Sequence, residues 1–252
     1  WYNRSSREGY SGDGMEKFIR VRDGARIYVK ILGEGEDLLL LHGNGDDSNF
    51  FEKQIREFKK FYRVIAMDTR GHGKSDRSKD LNMEDLSLDV LDVLDFLKIE
   101  KINLLGFSDG ANLALTFAKN FPNRIKRLIL NSPNKEFSQV KFIPRVLSYI
   151  FYYNLLFLSK IFTSLEYYFS VYSLNFSQLK IKDSEYEKFD FPVLILAGER
   201  DLIYLENFYK IAKKIKKSKL YIIKNHGHKV ARSNPVEYNR VVLDFLKKEV
   251  KK

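Results

Sequence analysis

The chain has 252 residues, with 44 Lys and Arg against 33 Asp and Glu, and a formal net charge of +11. A hydrophobic share of 44% beside 31% charged residues excludes disorder as the main state and allows one large domain or two smaller ones. The chain has no cysteine. This excludes a disulfide scaffold, Cys-ligated zinc, an iron–sulfur cluster and a Cys nucleophile, and agrees with a reducing, cytoplasmic location.

In chain order, residues 1–14 come first. They are polar and Gly/Ser-rich, without the apolar core of a signal peptide. The reading is an added or disordered extension, with Met15 as the natural start. Strands are expected at 18–22, 26–32, 38–41, 64–67, 102–107, 127–130, 193–197 and 220–223. Asp23-Gly24-Ala25 joins the first two as a hairpin turn. Leu38-Leu39-Leu40-Leu41 and Val193-Leu194-Ile195-Leu196-Ala197 are apolar without alternation, as strands covered on both faces of a parallel sheet should be.

Helices fall between the later strands. Asn82 can cap one that carries Leu86, Val90, Val93 and Leu97 on a single face. Asn234, Pro235 and Glu237 have the spacing of a capped start for the last helix. Lysines crowd residues 210–217 and the tail 247–252. No nucleic-acid reading motif accompanies them, so they are taken as solvated helix faces rather than a nucleic-acid interface.

Residues 137–176 break this rhythm, with thirteen Phe or Tyr and only four charged residues, Lys141, Arg145, Lys160 and Glu166. The densest part, 149–158, is too short to cross a bilayer, so no integral membrane segment is expected. The insert, 135–190, is read as a cap or lid between two parts of one core, 15–134 and 191–252.

The residues that carry chemistry lie at strand ends. Leu105-Gly106-Phe107-Ser108-Asp109-Gly110 has the Gly-x-Ser-x-Gly form between a strand and a helix. A tight strand-to-helix turn strains the Ser108 backbone, and side chains two residues to either side would collide. The Asp109 N–H, at a helix N-terminus, can face a developing oxyanion. Leu41-His42-Gly43-Asn44-Gly45 and Asp68-Thr69-Arg70-Gly71-His72-Gly73-Lys74-Ser75 follow two earlier strands. His72 precedes Ser108 and is read as part of a turn. Gly198-Glu199-Arg200-Asp201 and Asn225-His226-Gly227-His228 follow two later strands. They offer two acids and two imidazoles to the same side of a parallel sheet.

These five landmarks, in this order, resemble the α/β-hydrolase family. The resemblance spans Met15 to Lys252 outside the insert. It implies a mostly parallel, eight-stranded sheet flanked by helices, with an inserted helical cap. It implies a Ser108, Asp201, His228 triad, with Asp201 preferred to Glu199 and His228 to His226. It makes the Asn44 N–H the second oxyanion donor beside Asp109, and His42 a structural residue. The acid position that some members use after an earlier strand reads Asn131-Ser132-Pro133-Asn134 here, without an acid. The implied activity is cleavage of an ester or related acyl bond of a small, apolar substrate, without metal or organic cofactor. Carbon–carbon bond hydrolases, cofactor-free perhydrolases, a binding protein on the same scaffold and a membrane-surface protein are the rivals. The oligomeric state stays open, a homodimer included.

Overall fold

The computed structural model describes residues 9–11 and 14–247. The rest of the N-terminal extension and the basic tail beyond Lys247 lie outside the described residues. All eight expected strands are present: β2 (Gly14–Arg20), β3 (Arg26–Leu32), β4 (Glu36–Leu41), β5 (Tyr62–Met67), β6 (Ile102–Phe107), β7 (Ile125–Asn131), β8 (Val193–Gly198) and β9 (Ser218–Ile223). A three-residue edge strand, β1 (Gly9–Ser11), precedes them, so the sheet has nine strands rather than eight and part of the supposed extension is in it. The order is β1-β2-β3-β5-β4-β6-β7-β8-β9. The pairings β1–β2, β2–β3 and β3–β5 are antiparallel, and all from β5 to β9 are parallel.

The unbroken apolar strands explain why the sheet is covered twice. Leu39 and Leu41 of β4 point into one core, Leu38 and Leu40 into the other, as the two-residue period of a strand requires. The first core is closed by α2 (Met83–Phe96), α3 (Asp109–Asn120) and α7 (Leu205–Lys214). The second is closed by α1 (Glu52–Phe58), α8 (Val230–Ser233) and α9 (Pro235–Leu246). Both expected caps form: the Asn82 side chain accepts from Asp85 N–H, and the Asn234 side chain from Glu237 N–H.

The insert folds as α4 (Phe142–Ile161), α5 (Glu166–Ser173) and α6 (Asp183–Tyr186) with short 3₁₀ turns. Its second half is not detached. Leu174, Leu179, Ile181, Tyr186 and Phe189 join the first core. Helix α4 has 20 residues. The apolar run is therefore twice the length expected from 149–158, and its length alone no longer excludes a span.

Candidate active site

The nucleophile turn is built by two glycines. A Cβ on Gly106 would lie 2.1 Å from Gly110 O, and one on Gly110 would lie 2.1 Å from Leu41 O. Only hydrogen fits at either position, so β6, α3 and β4 approach closely around the residue between them. That residue, Ser108, sits at φ 52° and ψ −119°, in a region that non-glycine residues avoid and that costs about 1–3 kcal/mol. The Ser108 N–H donates to Asn131 O, which helps to hold the strained backbone in place.

His228 bridges Ser108 and Asp201. Its Nε2 is 3.0 Å from Ser108 Oγ and its Nδ1 is 2.8 Å from Asp201 Oδ1. Asp201 is fully buried. It also accepts from Ser132 Oγ at 2.6 Å and from Ile203 N–H at 3.0 Å. Burial opposes its charge, but the donors from His228, Ser132 and Ile203 outweigh burial and hold the carboxyl below its ordinary range. An ionised Asp201 can only accept, so Nδ1 carries the imidazole proton and Nε2 is left to accept from Ser108. The Phe107 ring lies 5.0 Å from the His228 ring and stacks on Phe50 at 4.3 Å, which walls the imidazole on one side.

The rival residues are engaged elsewhere. His226 Nδ1 is 2.9 Å from Ser233 Oγ, and the exposed Glu199 accepts from Asn225 N–H. His42 is buried and accepts from Thr69 N–H at Nε2, so its Nδ1–H donates to Gly43 O at 2.8 Å. Burial pushes His42 down and His72 down to about 4, so both stay neutral. The Asp68 turn has a packing explanation. Asp68 accepts from Ser48 and Lys74 N–H, Arg70 pairs with buried Asp89, and Ser75 Oγ donates to Asp68 O.

Asp109 opens α3, and a first-turn N–H has no intrahelical acceptor. The Asp109 carboxyl accepts from Asn44 Nδ2 at 2.9 Å and Asn112 Nδ2 at 3.3 Å. Burial nevertheless pushes its pKa up. Asn44 Nδ2 also donates to Val171 O of α5 at 2.6 Å, tying the loop after β4 to the insert.

Ser108, Asp109 and His228 open into a cavity of about 220 Å³. The insert supplies Phe137, Val140, Pro144, Ser148, Tyr172 and Asn175, and the segment after Asp201 supplies Leu202 and Ile203. A larger groove of about 640 Å³ between α1 and α9 holds none of the candidate residues. Ser132 escaped the sequence reading. It follows β7, at the position where some members of the family place the acid, but a lone serine there signals nothing until its hydroxyl is seen on Asp201.

The α/β-hydrolase fold model matches residues 38–162, which contain the Asn44 loop, the Asp68 turn and Ser108. The chain belongs to the α/β-hydrolase fold family. An uncharacterized protein of Mycobacterium tuberculosis is 34% identical over 52% of this chain and 38% of its own length. This chain thus matches well under half of that relative. Epoxide hydrolase 4 of Homo sapiens is 26% identical over 95% of this chain and 81% of its own. The crystal structure of the carboxylesterase CesB from Bacillus subtilis superposes with a TM-score of 0.77, at 21% identity, over 96% of this chain and 94% of that one. The epoxide hydrolase and the carboxylesterase act on different bonds, so the family fixes a hydrolase scaffold and leaves the bond that is cleaved to the site.

Proposed function

We propose that this α/β-hydrolase cleaves an ester or related acyl bond of a small substrate through a Ser108 acyl-enzyme. His228 takes the Ser108 proton as Oγ attacks the carbonyl carbon, then gives a proton to the leaving group. Asp201 keeps the imidazole in the required tautomer and stabilises its cation. The backbone N–H groups of Asn44 and Asp109 receive the oxyanion. A water activated by His228 then attacks the acyl-enzyme, releases the acid and restores Ser108. The single observation that carries this reading is the His228 ring hydrogen-bonded to Ser108 on one side and to buried Asp201 on the other.

The insert acts as the cap over this site. The cavity is smaller than the ~300–1,000 Å³ of drug-sized ligand sites. Phe137, Val140, Pro144, Leu202 and Ile203 give it an apolar side, which suits a short apolar acyl group. A cytoplasmic location goes with this reading.

The test is hydrolysis of p-nitrophenyl esters of graded chain length. The wild-type protein should turn them over with a burst of p-nitrophenol. Ser108→Ala should lose about 10⁶-fold in kcat while keeping its circular dichroism spectrum. An enzyme that ignores every ester and cleaves a vinylogous carbon–carbon bond would replace the reading by the C–C hydrolase alternative. Full activity in Ser108→Ala would remove Ser108 as nucleophile.

A further inference from the structure

Helix α4 is amphipathic in the wrong sense for a helix facing water. Its inner face runs through Pro144, Ser148, Tyr152, Leu155 and Ser159, spaced by three and four residues as one helical stripe requires. Two of those five are serines. Its outer face carries Phe142, Ile143, Leu147, Ile150, Phe151, Phe157 and Ile161, and Ile143, Leu147 and Phe157 are 71%, 61% and 64% exposed. A surface helix normally puts its apolar stripe inward and its charges outward. An exposed apolar face of this length marks an interaction site.

Charge decides which partner it fits. No residue from 137 to 165 is acidic, while Lys141 and Arg145 stand at one end of α4 and Lys160 at the other. Aromatics and aliphatics on one face with cations at both ends are what a helix lying in the headgroup layer presents to an anionic bilayer. The net charge of +11 adds long-range attraction of the same sign. At ~1.5 Å per residue the helix is about 30 Å long, enough to cross a bilayer. Its partners argue for lying on the surface instead. Helix α5, which follows directly, is tied to the core by Tyr167 Oη donating to Gly71 O and by Val171 O accepting from Asn44. A crossing α4 would carry α5 to the far side of the membrane.

We propose that the outer face of α4 docks the protein on an anionic lipid surface, with α4 parallel to the membrane plane. Pro144 and Ser148, on the opposite face of the same helix, line the Ser108 cavity. Docking therefore brings the cavity to the lipid interface. Resting on the Ser108 reading given above, this makes an amphiphilic ester in that layer the substrate class.

The experiment is co-sedimentation of the full chain with vesicles of phosphatidylcholine alone and of phosphatidylcholine with phosphatidylglycerol. Binding should favour the anionic vesicles and weaken in high salt. Leu147→Glu with Ile150→Glu should abolish it while leaving p-nitrophenyl acetate hydrolysis unchanged, which reports intact folding. Lys141→Gln and Lys160→Gln should each weaken anionic binding by about fivefold, the effect of about 1 kcal/mol per lysine. Ser108→Ala should bind as the wild type does, so docking is read independently of catalysis. Absence of binding to either vesicle overturns the proposal. So does a wild-type dimer in solution that Leu147→Glu with Ile150→Glu converts to monomer without any vesicle binding, because a second copy then covers the face.

Discussion

Replacing Ser132 by alanine removes one of three donors to Asp201 and touches neither Ser108 nor His228. The lost bond is the short one, 2.6 Å from hydroxyl to carboxylate, and Ser132 is fully buried. A buried hydrogen bond to a charged group is worth about 1.5–3 kcal/mol, and one pKa unit corresponds to about 1.4 kcal/mol. Losing the Ser132 donor should therefore raise the Asp201 carboxyl from its depressed value. At neutral pH the loss of kcat/KM should be modest, about tenfold or less. On acidification the variant should fail first, its activity relative to wild type dropping as the pH falls. The assay is the pH profile of kcat/KM with a p-nitrophenyl ester. Stability should fall as well, by about 2–4 °C in Tm per kcal/mol lost. Asn131 Nδ2 keeps Leu196 O as a partner, so no second orphan is created. Ser132 also has a φ of 55°, so Ser132→Gly serves as a control. It relieves the backbone yet should show the same acidic shift. A wild-type pH profile in both variants would refute the role given to the Ser132 hydroxyl.

His228→Ala should lose about 10⁶-fold in kcat while His226→Ala keeps most activity; the opposite pattern in steady-state kinetics transfers the base to His226. Asp201→Asn should cost about 10⁴-fold through the wrong tautomer, and Glu199→Gln little; a larger loss at Glu199 reverses the choice of acid. His72 is held at about 4, below its ordinary 6.5, so the unfolded chain takes up its proton first as pH falls. Its contribution is complete above pH 6.5 and lost toward pH 4, up to about 3 kcal/mol, and His72→Gln should flatten that part of the urea-denaturation profile. Each methylene that fits the cavity should raise kcat/KM about fourfold, from about 0.8 kcal/mol of burial, until the cavity is full; independence of chain length from acetate to octanoate would leave its apolar lining without a substrate role.

How much of this was legible in the sequence depends on whether local pattern or distant packing decided each feature. The strands were legible because β4, β6 and β8 are buried on both faces and so carry continuous apolar runs. Gly106 and Gly110 were legible because the turn they bracket admits nothing larger. The boundary at β2 was not. The strand begins at Gly14, since Gly14 pairs with Leu32 of β3, and it ends at Arg20, where the Val21–Gly24 turn begins. Which face of α4 turns outward was equally hidden. Apolar residues occur all round that helix, so periodicity could not separate the inward stripe from the exposed one. Ser132 and the Asn44 tether to Val171 depend on contacts between residues 69 and 127 positions apart, which no local pattern encodes.

An activated nucleophile at Ser108 is open to covalent capture. A fluorophosphonate probe should add once per chain, and peptide mass spectrometry should place the adduct on Ser108. Labelling should collapse in His228→Ala and slow at low pH in Ser132→Ala. An adduct on another residue, or none at all in protein that hydrolyses esters, would rule out Ser108 as the nucleophile.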